Sequence, residues 1–245
     1  LDYFLKEKLE NFGTFHDAIT KDFKQNFLFH SNISSSLNIG LLDLNELIEK
    51  IVAFDAPYNA KEGFIRQIIG WREFMLRVYE DDGVPLRNSN FFEFKNPMPK
   101  KIIETKSGIK ILDDTISKLQ LTAYNHHIER LMILGNIFLL LEIKPNDVYE
   151  FFMKNYIDAY DWVMVGNVYG MSGFSDGGSV TTKPYISSSN YLLKMSDYDK
   201  NESWCKILDA LYWKFLHKYS HKFEKNPRMK MQIALLNKMP KEKLE

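Results

Sequence analysis

The residues best suited to chemistry are two histidines and an arginine inside an otherwise apolar helical pattern. His126, His127 and Arg130 occur in the stretch TAYNHHIERLMILGNIFLLLEI. Residues three and four apart on a helix share a face, so this spacing predicts that the three side chains lie close together. A polar, partly basic cluster of this kind on an apolar helix predicts a ligand-binding site.

The next stretch, GNVYGMSGFSDGGSVTTKPYISSSNY, is rich in Gly, Ser, Thr and aromatic residues. It shows neither a helical period nor a clean strand alternation, which predicts an extended loop. Compact domains rarely contain a loop of this length unless it has a function. We therefore expect the ligand near the histidine-bearing helix and this loop.

Several common site patterns do not fit the sequence. It contains no GxxxxGK[ST] and no GxGxxG, and the DGG at 176–178 indicates only a tight turn. His126 and His127 are adjacent, so on a helix they point in different directions and lack the i, i+4 spacing of HExxH. A metal site is therefore not expected. Ser-His-Asp chemistry stays open, without a nucleophile-elbow pattern to support it.

The rest of the chain is predicted to consist of helices joined by loops. Apolar residues recur at helical spacing in LDYFLKEKLENF, GFIRQIIGWREFMLRVYE, KPNDVYEFFMKNYIDAYDWV and SWCKILDALYWKFLHKYSHKF. Pro and Gly punctuate residues 81–110, which predicts a connector that is mostly loop. No stretch shows sustained strand alternation, so the sequence predicts an all-α fold with long ordered loops.

The serine-rich segment HSNISSSLN fits two interpretations. In the first, a serine caps the N-terminus of a helix by accepting a backbone hydrogen bond. In the second, serine hydroxyls and backbone amides at a helix N-terminus hold a phosphate. The serines alone favour the cap.

Composition restricts the class of protein. The 245 residues fit one large domain or two small ones, and 45% hydrophobic and 14% aromatic content supplies a packed core. A net charge of +0 gives no global attraction for a polyanion. The single Cys205 excludes an internal disulfide. No apolar run reaches the ~20 residues of a membrane span, and no signal peptide is visible, so we expect a cytoplasmic protein without membrane contact.

Several motifs together resemble the photolyase/cryptochrome superfamily. GFIRQIIGWREF, AYNHHIERLMILGN, DAYDWV, NVYGMSGFSDGG, TKPYISSSNYLLKMSDY, LYWKFL and NPRM occur in the order found there. They are most similar to the prokaryotic (6-4) photolyases, also called photolyase-related proteins. The match runs from about Phe12 to Met231 and covers the family's C-terminal helical domain, so residues 1–245 are expected to be that domain, a fragment without the N-terminal antenna domain.

This resemblance implies a U-shaped FAD inside the helical domain. The serine segment is similar to the one that holds the pyrophosphate, which reverses the preference for a simple cap. Arg130 and Asp158 resemble the family's Arg–carboxylate pair beside the flavin, a pairing that a buried charge requires. The implied cofactor-binding residues are Ser31, Ser34, Gln67, Arg130, Asp158 and Asn167.

The resemblance also implies a reaction: light-driven electron transfer from reduced anionic FAD to a (6-4) lesion flipped out of UV-damaged DNA. In the HHxxR motif formed by His126, His127 and Arg130, His127 corresponds to the histidine proposed to protonate the lesion, a general-acid role that suits imidazole. Tyr185 and Tyr191 correspond to tyrosines that line the lesion pocket. A monomer is expected, and the sequence does not indicate the antenna chromophore.

The sequence departs from the family at its iron–sulfur cluster, which four cysteines hold. Ile111 stands at the first position, Asp199 at the second and Glu202 near the third, while Cys205 is only near the fourth. Thiolates are the ligands that such clusters require. No iron–sulfur cluster is therefore expected.

The residues at the positions that pass electrons to the flavin also differ from those of the family. Phe151 and Phe152 replace a Trp-Tyr pair that relays electrons to the flavin, and Ile103 replaces a further tryptophan. Met164 stands where a polar residue is expected near the flavin N5, and it cannot form the same hydrogen bond. Three functions remain: a repair enzyme, a cryptochrome-like FAD photoreceptor without repair, or a flavin-free degenerate domain. Repair is favoured because the HHxxR motif and both tyrosines are present.

Overall fold

The computed structural model describes residues 1–240, which fold into helices joined by loops. In this range the only β features are two isolated bridges, Ile19 with Ser196 and Asn96 with Ile143. The α-helices are α1 (Asp2–Glu7), α2 (Leu9–Phe15), α3 (Ser34–Asn38), α4 (Leu44–Ala53), α5 (Tyr58–Ile65), α6 (Glu73–Arg87), α7 (Lys100–Ile103), α8 (Lys110–Thr122), α9 (Asn136–Leu140), α10 (Pro145–Asn155), α11 (Asp161–Met164), α12 (Ser189–Met195), α13 (Ser203–Phe223) and α14 (Lys230–Asn237). The prediction of an all-α fold is confirmed.

Three stretches of π-helix extend these α-helices. Arg66–Arg72 joins α5 to α6, Glu129–Gly135 leads into α9, and Val165–Ser172 continues α11. A π-helical turn shifts the register of the side chains that follow it, and such turns are frequent at functional sites. The first two stretches lie within motifs that carry the family resemblance, and the third overlaps one.

Two regions predicted to be loop are partly helical. α6 extends to Arg87, past Gly83 and Pro85, and residues 166–172 of the predicted loop form a π-helix. The reason is packing between the two elements: a Cβ on Gly166 would lie 2.7 Å from the sulfur of Met75 on α6. The glycines of this stretch therefore permit close helix contact, a role that local sequence cannot separate from loop formation.

The apolar residues form two large clusters. The smaller one comes from α1 to α5 and the chain between them, and includes Phe4, Phe12 and Phe64. The larger one is built on α8 to α10 and α13, and includes Phe152 and Trp204. Within residues 1–240, none of the helices has both the length and the apolar character needed to cross a bilayer.

Substituting Gly135 with alanine is expected to destabilise the fold. The new Cβ would lie 2.7 Å from the Ser172 Cβ, where two π-helical stretches cross. Overpacking of this kind costs about 1–3 kcal/mol, which opposes the ~1 kcal/mol that alanine gains over glycine in helix propensity. Urea denaturation measures the loss. The double variant Gly135→Ala/Ser172→Gly should recover only part of it, because the Arg130 carbonyl oxygen still lies 3.2 Å from the new Cβ. A Gly135→Ala variant more stable than wild type would contradict the close contact.

Candidate functional site

A cavity of about 280 Å³ lies between the two hydrophobic clusters. Phe12, Leu37 and Phe64 line it from the smaller cluster, and Phe152 and Val168 from the larger one. All three π-helical stretches contribute to its wall. The structure brings the six predicted cofactor-binding residues to this one cavity: Ser31, Ser34, Gln67, Arg130, Asp158 and Asn167.

Arg130 and Asp158 form a buried ion pair in the cavity wall. Arg130 Nη1 and Nη2 donate to the two Asp158 carboxylate oxygens at 2.9 and 3.0 Å, and Nε donates to the Asn125 carbonyl at 2.7 Å. The guanidinium also lies 4.0 Å from the ring centroid of Tyr156 and 5.3 Å from that of Tyr124. Burial opposes the charge of Arg130, but the Asp158 carboxylate raises its pKa above the ordinary value. The guanidinium is therefore held in one position.

Asp158 also connects this ion pair to the serine-rich segment. Ser34 Oγ donates to Asp158 Oδ2 at 2.7 Å, and Asn38 Nδ2 donates to the Asp158 carbonyl at 2.9 Å. Within the described chain, α3 begins after Ile33 and no side chain caps it. The simple serine cap is therefore wrong, and Ser31 and Ser34 lie at the cavity instead.

Asn167 is held by a tryptophan that the sequence analysis did not select. Trp71 Nε1 donates to Asn167 Oδ1 at 3.2 Å, and Asn167 Nδ2 donates to the Val163 carbonyl at 2.8 Å. Both Trp71 and Asn167 line the cavity, each from a π-helical stretch. Asn167 was predicted in a loop; it lies on a helix because α11 continues through it. The apolar stripe that contains Trp71 was visible in the sequence, but periodicity alone favours a core role for such a residue.

His126 and His127 do not share a helix. Residue Ala123 has a φ of +53° and ends α8, residues 124–126 are non-helical, and helix begins again at His127. The prediction that one long helix carries both histidines is wrong. It missed the left-handed turn, for which Ala123 gives no sequence signal.

A buried ion pair holds this turn in place. Lys118 Nζ lies 2.9 Å from Glu129 Oε1, and both side chains are 1% exposed. The other oxygen of Glu129 accepts from Asn125 Nδ2 at 3.3 Å and from the backbone N–H of His126 at 3.4 Å. Glu129 therefore ties α8 to the segment that carries the histidines.

His127 stands at the exposed rim of the cavity. Its Nε2 lies 3.2 Å from Asp17 Oδ1, and the hydrogen bond between them lowers the pKa of Asp17. The ring of His16 stacks on that of His127 with a centroid distance of 6.1 Å. His127 is therefore both oriented by a carboxylate and open to solvent, which suits a group that gives and regains a proton.

His126 and His30 are buried behind His127. Their rings stack with centroids 4.6 Å apart and an angle of 7° between planes. Among the described residues, His30 Nε2 and both ring nitrogens of His126 have no hydrogen-bond partner. Burial holds the pKa of both histidines well below 6.5, and the neighbouring charges add to the effect. Both rings are therefore neutral at pH 7.

Acidification from pH 7 to 5 is expected to destabilise the chain through these two histidines. In the unfolded state they titrate near 6.5, whereas burial lowers the pKa of His30 and His126 in the folded state. Below pH ~6.5 the unfolded chain therefore binds protons that the folded chain does not, and stability is lost as the pH falls. The loss approaches about 1.4 kcal/mol per pH unit for each histidine.

Urea denaturation at pH 7, 6 and 5 measures this slope. His126→Asn should flatten it, because one of the two groups that gain a proton on unfolding is gone. His217→Asn, at an exposed position on α13, should leave it unchanged. Equal slopes in wild type and His126→Asn would show that the buried histidines do not control the acid response.

Three of the four predicted catalytic residues do not line the cavity. Tyr185 and Tyr191 pack against the larger cluster and lie outside the described lining of this cavity, as does His126. Phe152 and Met164, which replace polar or redox-active family residues, do line it. The roles of the two tyrosines stay predictions.

The positions of the family's iron–sulfur ligands are occupied by core and loop residues. Ile111 is fully buried in the larger cluster. Glu202 accepts hydrogen bonds from the Asp199 N–H at 3.2 Å and from Trp204 Nε1 at 3.1 Å, and Cys205 Sγ lies 3.9 Å from the Asp199 carbonyl oxygen. The absence of a cluster stays a prediction from the missing thiolates.

An all-helical domain with a central cavity, aromatic walls and a few converging polar groups is typical of a domain that binds a cofactor or small molecule. No protein-family model matches the chain. A (6-4) photolyase of Agrobacterium fabrum is 40% identical over 253 residues, which cover 98% of this chain and 49% of that protein. The chain therefore belongs to the photolyase/cryptochrome superfamily. It spans about half the length of this relative.

Two uncharacterised proteins of Acanthamoeba polyphaga mimivirus are also similar. One is 50% identical over 93 residues, which cover 38% of this chain and 76% of that protein. The other is 33% identical over 109 residues, which cover 42% of this chain and 81% of that protein.

Proposed function

We propose that this chain is the helical domain of a light-dependent DNA-repair photolyase, that it binds FAD in the central cavity, and that it acts on a (6-4) photoproduct. The observation that carries the proposal is convergence: six residues from five segments of the chain, together with His127, surround one cavity. The similarity to a protein named as a (6-4) photolyase supports the same conclusion. Because the chain spans half of that relative, the activity of the whole protein is part of the proposal.

The residues at the cavity fit a flavin dinucleotide. Phe152, Trp71 and Met164 supply apolar and aromatic surface for a flat ring system, while Ser31 and Asn32 supply polar groups. The Ser34 hydroxyl donates its single proton to Asp158, so it would have to turn away from that carboxylate to donate to a phosphate. When bound, FAD supplies the light-driven electron transfer, and the protein supplies position, charge and protons.

Arg130 is the fixed positive charge of the cavity. Its salt bridge to Asp158 and its position between Tyr124 and Tyr156 prevent the guanidinium from turning away. A preorganised cation in a buried wall stabilises negative charge on a bound group more strongly than one in water. Arg130 would therefore favour an anionic reduced cofactor.

His127 would act as the proton donor. Its ring lies at the cavity rim, its Nε2 faces Asp17, and about 43% of its side chain is exposed. Asp17 orients the ring through the hydrogen bond to Nε2, while solvent access allows a transferred proton to be replaced. His126 is buried behind it and lies outside the cavity lining, so its contribution would be to the position of His127.

A photoreceptor without repair is the second candidate, and the surroundings of Phe152 favour it. Phe152 lines the cavity and packs on Phe151, so the residues in the relay positions are hard to oxidise. Tyr156 stacks on Phe152 at 5.1 Å, but its hydroxyl donates to the amide oxygen of Asn125, which does not take up a proton. Burial also raises the pKa of Tyr156. Loss of an electron from Tyr156 is therefore disfavoured, and reduction through this route should be slow.

The test has two stages. The absorption spectrum of the purified chain is recorded before and after blue light with a reductant, and flavin bands that bleach are expected. The reduced sample is then mixed with an oligonucleotide that carries a (6-4) photoproduct, illuminated and analysed by chromatography. Repair supports the proposal. Flavin without repair supports the photoreceptor, and a colourless chain that takes up no added FAD would overturn both.

A further inference from the structure

Three histidines from two separate segments meet behind the cavity rim. The ring nitrogens of His30, His126 and His127 offer one ligand atom each, and these atoms all lie within 4.8 Å of one another. The Asp17 carboxylate oxygen is 3.2 Å from His127 Nε2. His30 and His126 are 6% and 1% exposed. The cluster thus combines two shielded imidazoles with a third, on His127, that solvent can reach.

The buried nitrogens of this cluster are ready to act as ligands. Among the described residues, His30 Nε2 and both nitrogens of His126 lack a hydrogen-bond partner, which is unusual for buried polar atoms. Metal ions bind the neutral form of imidazole. Because burial keeps both rings neutral, no proton has to be expelled from them before a metal ion binds.

We propose that His30, His126 and His127 form a binding site for a divalent transition-metal ion of the zinc type. Three imidazoles, with a water molecule in the fourth position, are a donor set that Zn²⁺ accepts in tetrahedral geometry. Hard cations such as Mg²⁺ prefer oxygen ligands and do not fit three nitrogens. His126 and His127 were expected not to bind a metal because adjacent residues on one helix point apart, but His126 lies outside the helix and His30 reaches both rings from a distant segment.

Metal binding requires a small rearrangement of the rings. Zinc–nitrogen distances of about 2.0–2.1 Å place the nitrogens of a tetrahedral site roughly 3.4 Å apart, so the three groups must draw together from separations of up to 4.8 Å. The rings of His30 and His126 are nearly parallel, and their in-plane lone pairs cannot meet at one ion. One ring must therefore turn. Neither nitrogen of His126 makes a hydrogen bond within the described chain, so turning this ring costs only the 3.6 Å contact between its Nε2 and Glu129 Oε2.

This inference stands whether or not the chain repairs DNA. It has one consequence for the proposed function. A metal ion on the His127 nitrogen occupies the lone pair that would carry the proton, so Zn²⁺ should inhibit repair at concentrations that fill the site.

The test is metal binding by the purified, chelator-treated chain in the dark and without DNA. Zn²⁺ is titrated by calorimetry, and Co²⁺ is used as a spectroscopic probe because tetrahedral cobalt absorbs strongly in the visible range. One ion per chain and a tetrahedral cobalt spectrum are expected. His127→Gln should raise the Kd for Zn²⁺ at least about 10–100-fold, the range seen when even the partners of metal ligands are lost.

Two further variants make the result decisive. His30→Gln tests a second ligand, and its fold is checked by circular dichroism, so that the exposed His127→Gln carries the test if the buried variant fails to fold. His217→Gln/His221→Gln is the matched control, because these histidines lie four residues apart on the exposed face of α13 and can bind metal adventitiously. Binding that survives in His127→Gln but disappears in the α13 variant would overturn the proposal, as would a wild-type chain that binds no ion.

Discussion

Replacing Arg130 with methionine is expected to remove flavin from the chain and to lower the free energy of unfolding by about 3–5 kcal/mol. The variant leaves the carboxylate of Asp158, a side chain that is 8% exposed, without its bidentate partner. An uncompensated buried charge is the reason for the loss of stability. The loss of flavin follows separately, since the fixed cation of the cavity is gone. Urea denaturation and the flavin content after purification measure the two effects.

The double variant Arg130→Met/Asp158→Asn separates these effects. It removes both charges, and the amide oxygen of the introduced asparagine can still accept the hydrogen bond from Ser34. Replacing both members of a buried ion pair costs far less than breaking the pair. The double variant should therefore regain most of the stability and still lack flavin. A double variant no more stable than Arg130→Met would show that the pair is not the source of the penalty, and a flavin-loaded one would remove Arg130 from the cofactor site.

Substituting His127 with alanine should reduce the rate of lesion repair by about 10²–10⁴-fold, the usual contribution of a general acid. Flavin binding should be retained, because His127 lies at the rim and not among the six predicted cofactor residues. Stability should change by about 1 kcal/mol or less, because the pair with Asp17 is solvent-exposed, with side chains 43% and 39% exposed. Single-turnover repair under saturating light, with reduced flavin, gives the rate.

His16→Ala is the matched control for this experiment. His16 stacks on His127 and is similarly exposed, with 39% of its side chain in solvent, but it does not line the cavity. Its loss should leave most of the repair rate intact. A repair rate in His127→Ala equal to that of wild type would exclude His127 as the proton donor. If His127→Ala and His16→Ala lost the same repair rate, the stacked pair of histidines, and not His127 alone, would be needed for repair.

Many of the residues that line the cavity could be predicted because they lie in sequence motifs that resemble those of the family. Ser31, Gln67, Arg130 and Asn167 were selected from such motifs, and the structure places all of them at one cavity. Apolar periodicity also gave most of the helices. Trp71 was visible only as one member of an apolar stripe, since periodicity does not separate a residue that lines a cavity from one that fills a core.

The π-helical stretches were not predictable from periodicity. Within Arg66–Arg72, Glu129–Gly135 and Val165–Ser172 the hydrogen-bonding step is one residue longer than in an α-helix, and this difference leaves little trace in the pattern of apolar residues. Gly166 and Gly170 were interpreted as loop residues, although they permit close packing on neighbouring side chains. Which role a glycine has depends on what lies next to it in space.

The helical class follows from the spacing of apolar residues, and the lack of the family's cysteine ligands follows from residue type alone. The pairing of Arg130 with Asp158 was implied by the family resemblance. The positions of the histidines, in contrast, depend on tertiary packing. His30 is 96 residues from His126 along the chain, yet their rings stack, and the left-handed turn at Ala123 removes His126 from the helix that begins at His127. Such contacts arise from the packing of distant segments, which no local pattern encodes.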